Sequence, residues 1–455
     1  MQLQRRRMGW VAACAVGALL VNACGSSATP VPTAPPAVSP AASVAPASAE
    51  SSAAASVAPS ASPSVTPQPV SGSITFLVSS TPTVDNMLKQ IPDFEKASGV
   101  QVKVVNIDYD AMTQKETLDL RTKAGTYDVF WTEGTFLGRY VGSLNGMEPL
   151  DTYAASQGID LGLSDFPDQL QKNFSFNGHL YAMPFEDTLM MAAYRTDLYQ
   201  SAGLQPATDP DGYLATVAKL NKPPVSGTEI MGQKGEPVFY EWINWLWARG
   251  GSLFDASGAP TIDTPAAHQA TQDLLALAKV SPAGTANFGW DEAASSFAQG
   301  QASTAILFSD QTPGLLDPTA SKIVGKWAYV PFPGTNSTAF GGYAWGMNAY
   351  SKNKPAALAF IQWATSAQVL KSLVPAGSSP PRLSILNDTG LQAQYPWLVA
   401  EAAAAPRAQV PTASPSYFEL VDALSANLNA VLTGGMTVDQ ALSDAQAKWV
   451  TILKP

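Results

Sequence analysis

Ser73-Ile74-Thr75-Phe76-Leu77-Val78, Val100-Gln101-Val102-Lys103-Val104-Val105 and Tyr127-Asp128-Val129-Phe130-Trp131 are three short runs rich in β-branched and aromatic residues. Such runs read as strands. Between the first two, Val84, Met87, Leu88, Ile91 and Phe94 recur at helical spacing, with Pro92 expected to bend the helix and Gly99 to end it. A second, more polar helix is expected near 113–123. Strand and helix signals that alternate in this way define an α/β fold with mainly parallel sheets.

The same alternation continues downstream. Thr264-Pro265 opens a helix with Ala267, Ala270, Leu274, Leu275 and Ala278 on one face. Pro355 opens another that runs through Trp363. Thr437-Val438-Asp439-Gln440 is a capping box ahead of Ala441, Leu442, Ala445 and Trp449. The part after residue 70 has about 385 residues. One hydrophobic core stops growing at roughly 250–300 residues, so two lobes are expected.

What precedes residue 71 is different material. Arg5, Arg6 and Arg7 stand before an apolar run from about Met8 to Val21. That is shorter than the ~20 residues a membrane-spanning helix needs, and a basic stretch before a short apolar one is a secretory signal. The run ends in Leu20-Val21-Asn22-Ala23-Cys24-Gly25, which resembles a bacterial lipobox. Residues 1–23 are therefore expected to be a lipoprotein signal peptide and Cys24 the lipidated residue. Gly25 to Val70 is Ala, Ser, Pro, Thr and Val, with Glu50 as its one charge and no aromatic residue. It cannot bury enough surface to order itself and is expected to be a tether, ~40 Å end to end as a coil and ~140 Å when extended.

Charge and composition exclude several functions. The chain carries a net charge of −10, and losing the three signal arginines takes it to −13, which disfavours a nucleic-acid ligand. His179 and His268 are the only histidines, and neither Cys14 nor Cys24 lies in the folded part. A zinc site, a Ser-His-Asp triad and a disulfide are therefore not expected. There is no phosphate-binding loop and no dinucleotide glycine fingerprint, so no cofactor is expected. Hydrolysis by a carboxylate pair, as in glycosidases, is the enzymatic alternative, with Glu133, Glu186 and Asp187 as candidates. Carboxylates that hold ligand hydroxyls are the simpler reading. Trp131, Trp242, Trp245, Trp247, Trp290, Tyr343 and Trp345 cluster in a few segments. Aromatic faces cover the C–H faces of sugars while carboxylates, amides and Arg satisfy the hydroxyls. Trp245, Trp247 and Trp363 read as helix core.

Several segments resemble a known family. Phe94-Glu95-Lys96-Ala97-Ser98-Gly99-Val100 and Tyr127-Asp128-Val129-Phe130-Trp131 look like the first lobe of the family 1 bacterial extracellular solute-binding proteins, the group that includes maltose-binding protein. Gly178-His179-Leu180-Tyr181-Ala182-Met183-Pro184-Phe185 and Tyr194-Arg195-Thr196-Asp197-Leu198-Tyr199 resemble segments that follow it. Gly250-Gly251, Ile262-Asp263-Thr264-Pro265, Phe297-Ala298-Gln299-Gly300-Gln301-Ala302 and Gly341-Gly342-Tyr343-Ala344-Trp345-Gly346, the last ahead of Ser351-Lys352-Asn353-Lys354, match its second half. The resemblance covers nearly everything after Ser73, in matching order.

It implies a two-lobe α/β binding-protein fold of the maltose-binding type, with solute held in the cleft between lobes. Lobe 1 is expected over about 71–186 and 312–350, and lobe 2 over about 187–310 and 353–455. The crossings are then expected near 186–189, 309–313 and 350–353. The resemblance carries ligand contacts onto Ser80, Trp131, Glu133, Glu186, Asp187, Trp242, Trp290, Asp310, Gly342, Tyr343 and Arg382. It implies a monomeric, non-catalytic importer component that binds a sugar or sugar alcohol and hands it to the transmembrane subunits of an ABC permease. A lipid-anchored glycoside hydrolase, or a binding lipoprotein for a peptide, polyamine or metal, are the competing expectations.

Overall fold

The computed structural model describes residues 71–335, 338–339 and 342–454. The expected signal peptide, lipidated Cys24 and tether lie outside the described residues, as does Gly341.

Eight strands carry the architecture: β1 (Gly72–Val78), β2 (Val100–Asn106), β3 (Val129–Thr132), β4 (Ala182–Glu186), β5 (Met190–Arg195), β6 (Thr304–Phe308), β7 (Trp327–Pro331) and β8 (Tyr343–Met347). The first sheet runs β2-β1-β3-β8-β4 and the second β6-β5-β7. The β1–β2 and β1–β3 pairs are parallel, joined by helices as the alternation requires. The parallel expectation ends there. β8 pairs antiparallel with both β3 and β4, and the second sheet is antiparallel throughout. β5 and β8 are reached by chain that crosses from one sheet to the other, so no crossover helix sets their direction.

The segment after β1 also differs from expectation. One bent helix was expected over 84–94; two helices form, Pro82–Leu88 and Ile91–Ser98. Pro92 sits at the second position of the new helix, where its missing N–H has no partner to lose. Gly99 closes it at φ 77°, a left-handed conformation that glycine adopts without a Cβ clash.

Two crossings fall elsewhere than expected. The chain passes from β4 to β5, and so from the first sheet to the second, at 187–189, within the range the resemblance implies. The chain does not return at 309–313, because β7 pairs with β5 and stays in the second sheet; it returns between β7 and β8. Nor does it leave near 350–353. Helix Lys354–Ala364 presents Phe360 to Phe76 and Phe94 and so belongs to the first lobe. The final crossing follows helix Ala367–Leu373, since helix Trp397–Ala404 packs on β7. The lobe limits 312–350 and 353–455 are corrected accordingly.

Each lobe has a packed aromatic centre. In the first, Phe76 meets Trp345 edge-on at 5.0 Å, and both are fully buried. Side chains of this size contribute about 1.5–3 kcal/mol each on burial. In the second, helix Glu236–Ala248 is apolar on nearly every side and is covered by helices Pro265–Ala278 and Tyr417–Leu432.

Candidate functional site

Strand geometry places the first group of residues. Along β3 and just past its end, Trp131 and Glu133 are two positions apart and so point to the same face. The Trp131 ring N–H donates to Glu133 Oε1 at 3.2 Å, and the Tyr109 hydroxyl donates to the same oxygen at 2.7 Å. On β8, Tyr343 lies over Trp131 with ring centroids 3.8 Å apart, and it stands opposite Glu186 in the β4 register. Gly342, buried, leads into this strand. Glu186 Oε1 accepts from Thr83 at 2.8 Å and from the Ser379 N–H at 3.3 Å; its Oε2 is buried with no partner.

The second lobe supplies a facing wall. Phe308 ends β6 and Asp310 follows it. Trp290 opens helix Trp290–Ala298 and packs on Phe308 at 5.3 Å and on Tyr240 at 5.9 Å. Tyr240 and Glu236 sit four residues apart on one helix face. The Tyr417 hydroxyl donates to Glu236 Oε1 at 2.8 Å. Between the walls, the Tyr343 hydroxyl donates to Asp310 Oδ2 at 2.6 Å.

The electrostatics of this junction are one-sided. Burial pushes the Glu133 carboxyl up to about 8, reinforced by the charge of Glu236 and opposed by the Tyr109 and Trp131 hydrogen bonds. Burial raises Glu186 to about 8, with the charge of Asp310 adding to it. Asp310 rises to about 6, again through burial, and the Tyr343 hydrogen bond works against the shift. Burial raises Glu236 too. Carboxylates also act on one another here: Glu236 and Asp310 on Glu133, Asp110 on Glu236, Asp291 on Asp310 and Asp310 on Glu186.

Of the residues singled out in the sequence, Trp131, Glu133, Glu186, Trp290, Asp310, Gly342 and Tyr343 fall around this junction. Asp187 lies beside it, in the crossing itself. Its backbone N–H donates to the Ser379 carbonyl, its carbonyl accepts from Ser379 and Ser309, and both carboxyl oxygens are buried without a partner. Burial alone raises it to about 7.

Two assignments are corrected. Trp242 is fully buried between helices and donates to Thr271 at 2.8 Å, so it is core of the second lobe. Arg382 donates to Asp165 at 3.0 Å and to the Thr365 carbonyl, and covers the Phe166 ring at 4.4 Å; it is a structural ion pair. Ser80 is exposed at the end of β1, held between Asp85 and Asn106, three residues before the Thr83 that donates to Glu186. Tyr109, Glu236, Tyr240 and Tyr417 belong to the junction and were not singled out. Only Glu236 and Tyr240 left a signal, a Glu and a Tyr one turn apart at the start of a helix that is otherwise nearly all apolar.

Two α/β lobes, joined by extended crossings and lined at their junction by rings and carboxyls, define a solute-binding protein. Residues 79–371 match the family model for bacterial extracellular solute-binding proteins, and the chain belongs to that family. It is 30% identical over 390 residues to a Sinorhizobium fredii protein named "Probable amino-acid ABC transporter periplasmic-binding protein", covering 82% of this chain and 88% of that one. It is 28% identical over 388 residues to the mannitol-binding protein of Pseudomonas aeruginosa, covering 77% and 86%. Among solved structures, an ABC transporter solute-binding protein from Agrobacterium radiobacter in complex with ribitol matches with a TM-score of 0.77 and 27% identity, over 85% of this chain and all of that one. Another from Agrobacterium vitis with bound D-mannitol matches at 0.70 and 25%, over 84% and 98%. The protein is an extracytoplasmic solute-binding component of an ABC importer. Among the described residues, no helix is long and apolar enough to cross a membrane.

Proposed function

We propose that the protein binds a sugar or sugar alcohol at the junction of its lobes, releases it unchanged to the permease, and is held at the membrane by lipid on Cys24. One observation carries the reading. Aromatic rings of both lobes, Trp131 and Tyr343 on one side and Tyr240 and Trp290 on the other, flank carboxyls that are already oriented by tyrosine hydroxyls. Rings suit the C–H faces of a polyol, and fixed acceptors suit its hydroxyls. The ribitol and mannitol bound by the two Agrobacterium relatives and the Pseudomonas mannitol-binding protein support the same class of solute. The family's role in binding supports a chain without catalysis, although Glu133 and Glu186 are both acids of the kind a glycosidase uses.

A thermal-shift screen against pentitols, hexitols, monosaccharides and oligosaccharides tests the proposal, because a solute that binds the folded state raises its melting temperature by mass action. At least one polyol or sugar is expected to raise it by several degrees at millimolar concentration. A flat response across the panel, with amino acids or peptides active instead, contradicts the proposal.

A further inference from the structure

A second line of contact joins the lobes beside the junction. Residues 134–143 follow β3 and are rooted in the first lobe: the Tyr140 ring packs on Phe130 of β3 at 6.2 Å, and its hydroxyl donates to Glu116 at 2.9 Å. Residues 405–416 join helix Trp397–Ala404 to helix Tyr417–Leu432, both of the second lobe. The two segments meet. Phe136 lies against Phe418 at 5.7 Å, and the Arg139 guanidinium covers the Phe418 ring at 5.1 Å. The Arg139–Glu419 pair is 3.6 Å long and open to water, so its charge adds little. The closest approach is backbone to backbone, at Gly138. A Cβ added there would overlap the Ala413 carbonyl oxygen and stand 2.7 Å from its carbon and 2.8 Å from the Pro415 nitrogen. Main chain cannot swing aside as a flexible side chain can, so any larger residue must push the two segments apart.

The backbone of Gly138 does not itself call for glycine. Its φ is not left-handed, and glycine is less stable in a helix than alanine. Gly142, in the same short helix Gly138–Ser143, is the natural comparison. The three atoms nearest to a Cβ at that position all belong to the Phe176 ring of its own lobe, the first at 3.0 Å. What sets Gly138 apart is the main chain of the other lobe. The seam also borders the junction: Glu133 directly precedes it, and Tyr417, next to Phe418, donates to Glu236 at 2.8 Å.

We propose that Gly138 sets how tightly the lobes shut on solute. Its missing side chain lets the two main chains seat against each other as the lobes close, and this contact is made in the solute-bound protein and opened in the free one. The inference rests on the reading of the junction as a solute site, with closure by rotation about the crossings. Gly138 is then a positioning residue, acting through the approach of Tyr240 and Trp290 toward Trp131 and Tyr343.

The test compares Gly138→Ala with Gly142→Ala in the full-length protein in detergent. Titration calorimetry uses ribitol, D-mannitol and the sugars of the screen. Gly138→Ala is expected to bind about tenfold more weakly than wild type, since affinity falls with the fraction of protein that can still close, while Gly142→Ala stays within about twofold. The solute-free melting temperature of both variants is expected to match wild type. Spin labels at Lys103→Cys and Ala256→Cys, exposed positions on different lobes, read closure directly. Saturating solute is expected to shift their spacing in wild type and Gly142→Ala, and to leave it largely unshifted in Gly138→Ala. Wild-type affinity in Gly138→Ala, weaker affinity with the full shift retained, an absent shift in wild type, or a lowered or lost solute-free melting transition in Gly138→Ala overturns this inference and leaves the proposed function standing. No binding by wild type of any polyol or sugar overturns both.

Discussion

The Tyr343 hydroxyl reaches Asp310 across 2.6 Å, and with that bond β8 of the first sheet is tied to the segment that follows β6 of the second. The same ring lies on Trp131, whose N–H steadies Glu133. One tyrosine therefore links the lobes and orders the binding wall. Tyr343→Phe keeps the stack and deletes the bond. A hydrogen bond to a charged group is worth about 1.5–3 kcal/mol, and the partial exposure of Asp310 puts this one at the low end. Calorimetry with the best solute from the panel is expected to show about tenfold weaker affinity. Unchanged affinity would mean that the bond does not contribute to the bound state.

Stability is expected to fall as pH rises. Glu186 and Glu229 are raised from 4.5 to about 8, Glu241 from 4.5 to about 7 and Asp187 from 3.8 to about 7, all chiefly by burial. Each keeps its proton in the folded state at pH values where the unfolded chain has lost it. Their contribution is therefore fully present below about pH 4 and is lost as pH climbs toward 8. The melting temperature without solute is expected to be several degrees higher at pH 5 than at pH 8, and Asp187→Asn is expected to flatten part of that slope. A melting temperature that rises over the same range contradicts the assignment.

Trp242 separates packing from binding. It is fully buried against Thr271, so Trp242→Ala is expected to cost about 3–5 kcal/mol of stability, read by chemical denaturation. The milder Trp242→Phe is expected to lower the melting temperature while leaving the dissociation constant within twofold. A tenfold loss of affinity in the Phe variant would return Trp242 to the site.

Cys24→Ala is expected to release the protein from the membrane fraction without changing solute affinity. The lipobox-like run from Leu20 to Gly25 is the reason. Continued partitioning of the variant with membranes would show that something other than lipid on this residue holds the protein there.

Much of the first lobe was legible because its signals are local. Alternation marked β1, β2 and β3 to within two residues, and capping at Thr264 and Thr437 marked two helices. Trp131, Glu133 and Asp310 were carried over from the family resemblance, and in the structure they stand at or just past strand ends. Tyr109, Glu236, Tyr240 and Tyr417 could not be placed. They come from the starts of three helices spread over some three hundred residues of chain, and only the meeting of the lobes makes them neighbours. Trp242 was misplaced for a related reason: in a helix that is apolar on all sides, periodicity does not say which face looks outward. The crossing at 309–313 failed because strand β7 gives no local sign of which sheet it joins, and that at 350–353 because helix Lys354–Ala364 gives no local sign of which lobe it packs on.

The central claim is that the junction binds a polyhydroxylated solute and does not convert it. The most direct measurement titrates the best solute from the screen into wild type, Glu133→Ala and Tyr343→Ala, and then analyses the recovered solute. We expect one-to-one binding by wild type, solute returned intact, and affinity lower by roughly ten- to hundredfold in each variant, the range set by about 1.5–3 kcal/mol for a buried charged hydrogen bond. Cleaved solute from wild type, with turnover lost but affinity kept in Glu133→Ala, would contradict the account and make the protein a hydrolase.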